Sequence, residues 1–402
     1  MDYLLFVLAL FSGGFMAWGV GANDVANAMG TSVGSKIITV KQAIMIAAVF
    51  EALGAFFGSG TVTGTIRNNI IQPSLYNEIP FVLVKGMMAA LLASATWLML
   101  ATQKGWPVST THSIVGAVIG FGVISQGGQH IQWSNISMIA LSWVVTPLVS
   151  GFMGWLVFRV IQRFVLIHPT PNIQAAYVSG LFLGAMIIAV IYETLGYLGF
   201  ETGYVLLAAP LVVFVCVMAF KSVMPVADSY RERCRQVEKM FGVLALFTAC
   251  AMAFAHGAND VANAIGPLAS IVDILQDGQI NSTNAVPVWV LIYGAMGVVL
   301  GLAMFGYKII LSVGSKITVL SPSRSFSAQL ATAITILMAS RMGFPVSTTH
   351  TLVGAVLGVG LARGLAAVNL SVVRGIFMSW GITIPAGALF AMGYFSILQA
   401  VI

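Results

Sequence analysis

The 402-residue chain is 59% hydrophobic and only 7% charged. Soluble domains carry about a quarter charged residues, so this composition excludes an ordinary soluble enzyme or binding domain. The formal net charge is +6, but the basic residues are spread over short loops between apolar segments, which does not indicate a nucleic-acid partner. The composition predicts an all-α, polytopic membrane protein.

About twelve apolar segments have spanning or near-spanning length, and the first is expected to be retained because no basic region precedes it. The segments cover residues 3–20, 43–62, 81–101, 110–126, 137–160, 175–193, 203–221, 241–256, 287–311, 326–340, 349–362 and 376–402. Several are short. Segments 110–126 and 349–362 could be half-helices of re-entrant hairpins, because both are too short for an easy full crossing.

The first segment leads into the decapeptide GANDVANAMG at residues 21–30, which returns as GANDVANAIG at residues 257–266. Two amides and a carboxylate in apolar surroundings indicate a functional site, because a buried unpaired charge is costly. Oxygen ligands of this kind suit a small hard cation, and the flanking glycines permit local unwinding that would free backbone carbonyls. The alternative is a helix interface of small residues joined by amide hydrogen bonds. The candidate cation ligands are Asn23, Asp24, Asn27, Asn259, Asp260 and Asn263.

A second phrase, PVSTTH, occurs at residues 107–112 and 345–350. The proline ends one element, and Ser109 or Thr110 is suited to cap the next helix, whose first N–H groups lack intrahelical partners. Such a helix start with three hydroxyls predicts an anion site of neutral donors, and the alternative is capping alone. The candidate anion ligands are Ser109, Thr110, Thr111, Ser347, Thr348 and Thr349. We interpret His112, His350 and His256 as structural donors in preference to ligands or proton carriers.

The two motif pairs repeat at offsets of 236 and 238 residues, which divides the chain into two related halves. Residues 1–160 form the first repeat, 161–220 add two membrane helices, 221–240 form a basic cytoplasmic linker and 241–402 form the second repeat. Seven crossings separate the starts of the repeats, so the two are expected to enter the membrane from opposite faces. Inverted repeats with broken or re-entrant helices at the motifs are typical of secondary transporters, with the site near the midplane.

The distribution of basic residues predicts the orientation in the membrane. If the N-terminus lies outside, fifteen of the eighteen Lys and Arg residues fall on the inner side, and only Arg67, Lys85 and Arg341 do not. Cytoplasmic loops carry an excess of these residues. We therefore expect both termini outside.

Two further charged residues are candidates for coupling or for the entrance to the site. Glu51 lies within a predicted span. A carboxyl group there indicates either a role in binding a cation or proton, or a structural hydrogen bond or salt bridge, and the sequence favours neither. Arg67 is predicted at the outer face, as a solvated or snorkelling residue or as a group that attracts anions at the entrance.

At these motifs the chain resembles the inorganic phosphate transporter (PiT) family of sodium- or proton-coupled phosphate symporters, over both halves and nearly the whole length. The resemblance implies import of inorganic phosphate with co-transported Na⁺, no other cofactor, an inverted-repeat helical fold and a homodimer in the cell (plasma or inner) membrane. It assigns the Asn and Asp residues named above to cation coupling and the Ser and Thr residues to phosphate. Glu51 and Arg67 also match phrases found in family members, whereas the short central linker departs from members that carry a large loop there.

Other functions remain open from the sequence. Some relatives use protons, carry metal-phosphate complexes or move sulfate. A channel would be a different class, as would an intramembrane hydrolase that uses the Ser, Thr and His groups. Duplicated sites argue against the hydrolase, because an enzyme needs one reaction centre, so we expect no enzyme activity.

Overall fold

A computed structural model describes residues 3–104, 106, 108–197, 203–223, 227–280, 285–306, 321–364 and 370–402. Within these ranges the chain is helical, with one isolated β-bridge between Ile71 and Ile131. The first-half helices and those that follow them are α1 (Tyr3–Gly34), α2 (Val40–Gly58), α3 (Gly60–Asn68), α4 (Pro80–Gln103), α5 (Thr110–Gln126), α6 (Trp133–Ile161), α7 (Pro171–Tyr197) and α8 (Gly203–Ser222). The second-half helices are α9 (Tyr230–Asp260), α10 (Ala262–Asp277), α11 (Val288–Gly301), α12 (Pro322–Arg341), α13 (Thr348–Arg363) and α14 (Leu370–Val401).

The predicted all-α membrane architecture is confirmed. In the described part of the chain, eight helices are long and apolar enough to cross a membrane. Helix starts follow local chemistry: Thr39 and Gln42 form a capping box at α2, and Pro80 and Pro322 occupy the first turns of α4 and α12, where a missing N–H is harmless.

The two helices that follow the hydroxyl motifs are short, as the sequence indicates. Helices α5 and α13 have 17 and 16 residues. At 1.5 Å per residue each is about 25 Å long, less than the roughly 30 Å of a bilayer core. Pro107 and residues 307–311 of the predicted segment 287–311 lie outside the described residues.

The predicted linker is partly helical. Helix α9 begins at Tyr230 with Ser229 as its N-cap and continues without a break as far as Asp260. The second half of the basic stretch is therefore on the same helix as Asn259 and Asp260 of the second Asn/Asp motif.

The helices of the two halves pack across each other. Helix α5 packs on α14 and α13 on α6, α4 packs on α14 and α12 on α6, and α1 packs on α11 as α2 does on α9. Each of these contacts recurs with the two halves exchanged. The short helices approach their partners closely, because Gly116 faces the backbone of Ile384 and Gly354 faces the backbone of Pro147. The core around the motifs is thus shared by the two halves.

Candidate functional site

The two Asn/Asp motifs have different backbones. Helix α1 runs unbroken through the first motif, so the expected unwinding there is wrong: Gly19, Gly21 and Gly30 permit an irregular backbone but do not force one. In the second motif α9 ends at Asp260 and α10 begins at Ala262. Pro267, inside α10, also cannot donate to the carbonyl four residues earlier.

One Asn of each motif is bound at the start of the hydroxyl motif of its own half. The Asn23 Nδ2 donates to the Val108 carbonyl at 3.0 Å, and Thr102 Oγ1 donates to Asn23 Oδ1 at 3.2 Å. The Asn259 Nδ2 donates at 3.1 Å to the carbonyl of Phe344, directly before the second hydroxyl motif, and its Oδ1 accepts from the Val346 N–H at 3.1 Å. These bonds fix the position of each Asp, which follows the bound Asn directly in the chain.

The other Asn of each motif reaches the hydroxyl motif of the opposite half. The Asn27 Nδ2 donates to Thr349 Oγ1 at 2.7 Å, and the Asn263 Nδ2 donates to Thr111 Oγ1 at 3.1 Å. Thr111 Oγ1 in turn donates to the Val346 carbonyl at 3.0 Å. The four sequence motifs therefore form one cluster and not two separate sites.

The serines of the hydroxyl motifs cap the short helices. Ser109 Oγ accepts from the His112 N–H at 3.2 Å, and Ser347 Oγ accepts from the His350 N–H at 3.3 Å. Of the two predicted caps, Ser109 is the one used, and α5 begins at Thr110. Both helix starts thus direct hydroxyls and first-turn N–H groups into the cluster, which is the arrangement that binds anions.

Two carboxylates from opposite halves meet at the centre. Single ligand atoms of Asp24, His256 and Asp260 all lie within 4.8 Å of one another. Thr348 Oγ1 donates to Asp260 Oδ2 at 2.7 Å, whereas Asp260 Oδ1 and Asn263 Oδ1 are buried and have no hydrogen-bond partner among the residues that the structure describes. Buried acceptor oxygens without a donor are costly. Carboxylate and amide oxygens of this kind are able to serve as ligands for a hard cation.

A contact that the sequence did not predict joins Glu51 to this centre. His256 Nδ1 lies 3.1 Å from Glu51 Oε1 and His256 Nε2 lies 3.0 Å from Asp260 Oδ2, with all three side chains buried. The spacing of His256 and Asp260 is visible in the sequence. The link to Glu51 is not, because it depends on the packing of α2 against α9. Attraction between both ring nitrogens and the two carboxyl groups needs either a doubly protonated ring or a proton on one carboxyl group.

Arg67 is not at a solvated entrance. It is 5% exposed and forms an ion pair with Asp273 of α10. The prediction was wrong because α3 packs on α10, which brings the guanidinium onto a buried carboxylate. A buried Arg is stable only when paired.

The side chains of the cluster are buried. Each predicted Asn, Asp, Ser and Thr ligand is no more than 5% exposed. The structure therefore brings all twelve predicted ligands into one enclosed region, adds His256 and Glu51, and places Arg67 elsewhere.

A polytopic helical fold that encloses carboxylates, amides and helix-start hydroxyls defines a membrane transporter of ions. The model of the Phosphate transporter family matches residues 20–391, and the chain belongs to that family.

Individual relatives cover nearly the whole chain. A Haemophilus influenzae protein named "Putative phosphate permease" is 46% identical over 411 residues, which cover 100% of this chain and 98% of the relative. The "Inorganic phosphate transporter 2-1, chloroplastic" of Arabidopsis thaliana is 40% identical over 97% of this chain and 72% of its own length. A solved structure described as "The sodium-dependent phosphate transporter" aligns with a TM-score of 0.92 at 36% identity, over 99% of this chain and 100% of that one.

Proposed function

We propose that the protein imports inorganic phosphate together with sodium by alternating access. The observation that carries this proposal is a pair of buried oxygens, Asp260 Oδ1 and Asn263 Oδ1, that have no hydrogen-bond partner among the described residues. Both residues are hydrogen-bonded to hydroxyl motifs, Asp260 to Thr348 and Asn263 to Thr111. A cation on the two oxygens and an anion on the two hydroxyls would lie in contact. The solved relative is described as sodium-dependent, which favours Na⁺ as that cation.

Charge explains why the cation and the anion would travel together. Moving one net negative charge into a negative interior is opposed by about 2.3 kcal/mol per 100 mV. The hydrogen bonds described for the hydroxyl motifs involve neutral groups and Asp260, so bound sodium would supply the positive charge next to phosphate. Asp24 and Asp260, each with its Asn neighbours, would hold sodium, and the six Ser and Thr residues would hold phosphate.

The site also suits a second candidate, proton-coupled transport of phosphate, metal phosphate or sulfate. Its support is His256, which lies between the carboxylates of Glu51 and Asp260 and could exchange a proton with either. Uptake compared in sodium, choline and acidic media separates the two couplings. Competition by sulfate and by Mg²⁺ identifies the anion.

The proposal extends to architecture. Two inverted repeats, 1–160 and 241–402, would exchange outward and inward access, with both termini outside and a homodimer as the assembly. The exchanged packing of the halves supports inversion. We expect a cysteine at Asp277 to react with an impermeant reagent from outside and one at Arg233 only from the cytoplasm. The reverse pattern in right-side-out vesicles would overturn the orientation.

Reconstituted protein tests whether phosphate is transported without being chemically changed. Purified protein in proteoliposomes with an imposed sodium gradient should accumulate phosphate against its gradient, unchanged in chemical form. Flux that neither saturates nor concentrates phosphate would indicate a channel. Absence of uptake with every cation tested would end the proposal.

A further inference from the structure

The two halves differ at one buried position close to the site. Gln329 lies on α12 and is fully buried. The offset between the hydroxyl motifs pairs it with Leu91 on α4, which is also fully buried. The second half thus has an amide side chain at a position where the first half has a hydrocarbon side chain.

Gln329 is hydrogen-bonded to two other helices. Its Nε2 donates to Thr31 Oγ1 and Ser32 Oγ on α1, both at 2.7 Å, and approaches the Ala28 carbonyl at 3.5 Å. Its Oε1 accepts from Thr248 Oγ1 on α9 at 3.0 Å. One side chain therefore ties α12 to both helices that carry the Asn/Asp motifs. We call these four residues, Gln329, Thr31, Ser32 and Thr248, the glutamine bridge.

The bridge lies on one side of the site. Thr31 follows Asn27 by four residues on α1, a rise of about 6 Å, towards the helix end at Gly34. The loop beyond that end carries Lys36, and the first turn of α2 carries Lys41, both of which the charge distribution assigns to the cytoplasm. The bridge is therefore between the site and the cytoplasm.

On the opposite side of the site, the positions equivalent to the bridge residues do not form such a bridge. The positions that correspond to Thr31 and Ser32 are Pro267 and Leu268 on α10, and both are buried. The position that corresponds to Thr248 is Ser12, whose hydroxyl donates at 2.7 Å to the Leu8 carbonyl of its own helix. No described hydrogen bond of these residues joins α4 to α1 or α10.

We infer that Gln329 is the gating residue on the cytoplasmic side, and that the glutamine bridge holds this exit closed until phosphate and its cation are released. The inference rests on the proposed function for what passes the gate. The hydrogen bonds hold α12 against α1 and α9, and separating these helices must break them. The opposite side has no counterpart of the bridge and instead carries the Arg67–Asp273 pair between α3 and α10, so loss of the Gln329 amide should affect the cytoplasmic exit alone.

The experiment uses the full chain with its three cysteines replaced and a reporter cysteine at Ala28, between the site and the bridge. An impermeant maleimide is added from each side, and a separate cysteine at Arg233 identifies the linker side. Gln329→Met keeps the length of the side chain and removes its hydrogen bonds, while Thr31 and Ser32 can still bond to their own helix. We expect labelling of the reporter from the linker side to rise about five- to fiftyfold, the effect of losing one or two hydrogen bonds, with no rise from the other side.

Thr332→Val is the matched control, because Thr332 is buried on the same helix and its hydroxyl donates at 2.7 Å to the Ala328 carbonyl of that helix. It should label like the parent. If Gln329→Met does not fold, Thr31→Val removes one acceptor of the bridge and should raise labelling in the same direction. If the folded variants are labelled at the same rate as the parent protein and differ only in a lower melting temperature, the inference is wrong. The glutamine bridge would then contribute to packing and not to gating. Sodium-dependent phosphate binding is measured separately and tests the proposed function. The gating inference and the proposed function can therefore be disproved independently.

Discussion

The amide of Asn27 donates to the hydroxyl of Thr349 at 2.7 Å, which joins the Asn/Asp motif of one half to the hydroxyl motif of the other. Asn263 and Thr111 repeat the contact in reverse. A residue proposed to bind the cation thus sets the position of a residue proposed to bind the anion. The bound cation and the bound anion would therefore influence each other through this hydrogen bond as well as through their charges.

Replacing Thr349 should therefore weaken phosphate binding. Thr349→Val keeps the shape and removes both a donor to the anion and the acceptor for Asn27. A hydrogen bond to a charged partner contributes about 1.5–3 kcal/mol, so we expect a loss of roughly ten- to hundredfold in affinity, measured by equilibrium binding in saturating sodium.

Thr351→Val is the control for this change. Thr351 is buried on the same helix, and its hydroxyl donates to the Ser347 carbonyl at 2.8 Å. It should bind phosphate like the parent protein. Equal losses for the two variants would mean that general packing of α13, and not the Thr349 hydroxyl, controls affinity.

Removing either central carboxylate should uncouple the two ions. If sodium at Asp24 and Asp260 supplies the charge that phosphate needs, each ion must strengthen the binding of the other by the same factor. Asp24→Asn and Asp260→Asn keep the size and remove the charge, so both should abolish concentrative uptake and flatten the sodium dependence of phosphate affinity. Phosphate titrations at several sodium concentrations measure this, and an unchanged sodium dependence in both variants would direct attention to Glu51.

The Arg67–Asp273 pair should contribute to stability. Both groups are buried and belong to different halves. Breaking a buried pair by removing one partner costs about 3–5 kcal/mol, because the other charge stays unpaired. Arg67→Gln and Asp273→Asn should each lower the melting temperature in detergent, and the double change Arg67→Met with Asp273→Leu should recover much of the loss. A double variant as unstable as the sum of both single changes would show that the two residues do not act as a pair.

The backbones of α13 and α6 are in close contact, so a large side chain introduced between them should disrupt the packing. A Cβ atom at Gly358 would overlap the backbone of Gly151, whereas one at Gly393 on α14 would have no neighbour within 4 Å. Gly358→Leu should therefore displace α13, which starts at the Thr348 hydroxyl, and abolish both phosphate binding and a monodisperse elution profile. Gly393→Leu should retain both properties, and equal damage from the two changes would contradict the packing argument.

Much of the site could be predicted because each motif is short, polar and duplicated. Buried Asp24 and Asp260 are expensive without a function, and Ser109 has the position of a helix cap, so local chemistry was sufficient for both. The pairing of Asn27 with Thr349 was not predictable, since it depends on which helices of the two halves pack together. The contact of Glu51 with His256 and the burial of Arg67 have the same tertiary origin.

The exchanged packing of the short helices also has a consequence for how the protein is made. Helix α5 is completed early in synthesis, but it packs on α14, the final helix of the chain, and α6 waits for α13 in the same way. Contacts so distant in sequence form slowly and leave partly covered surfaces in the meantime. The nascent chain must therefore remain in the membrane with α5 only partly packed until α14 is inserted, and a chain truncated before α14 would contain every predicted ligand but lack the helix on which α5 packs.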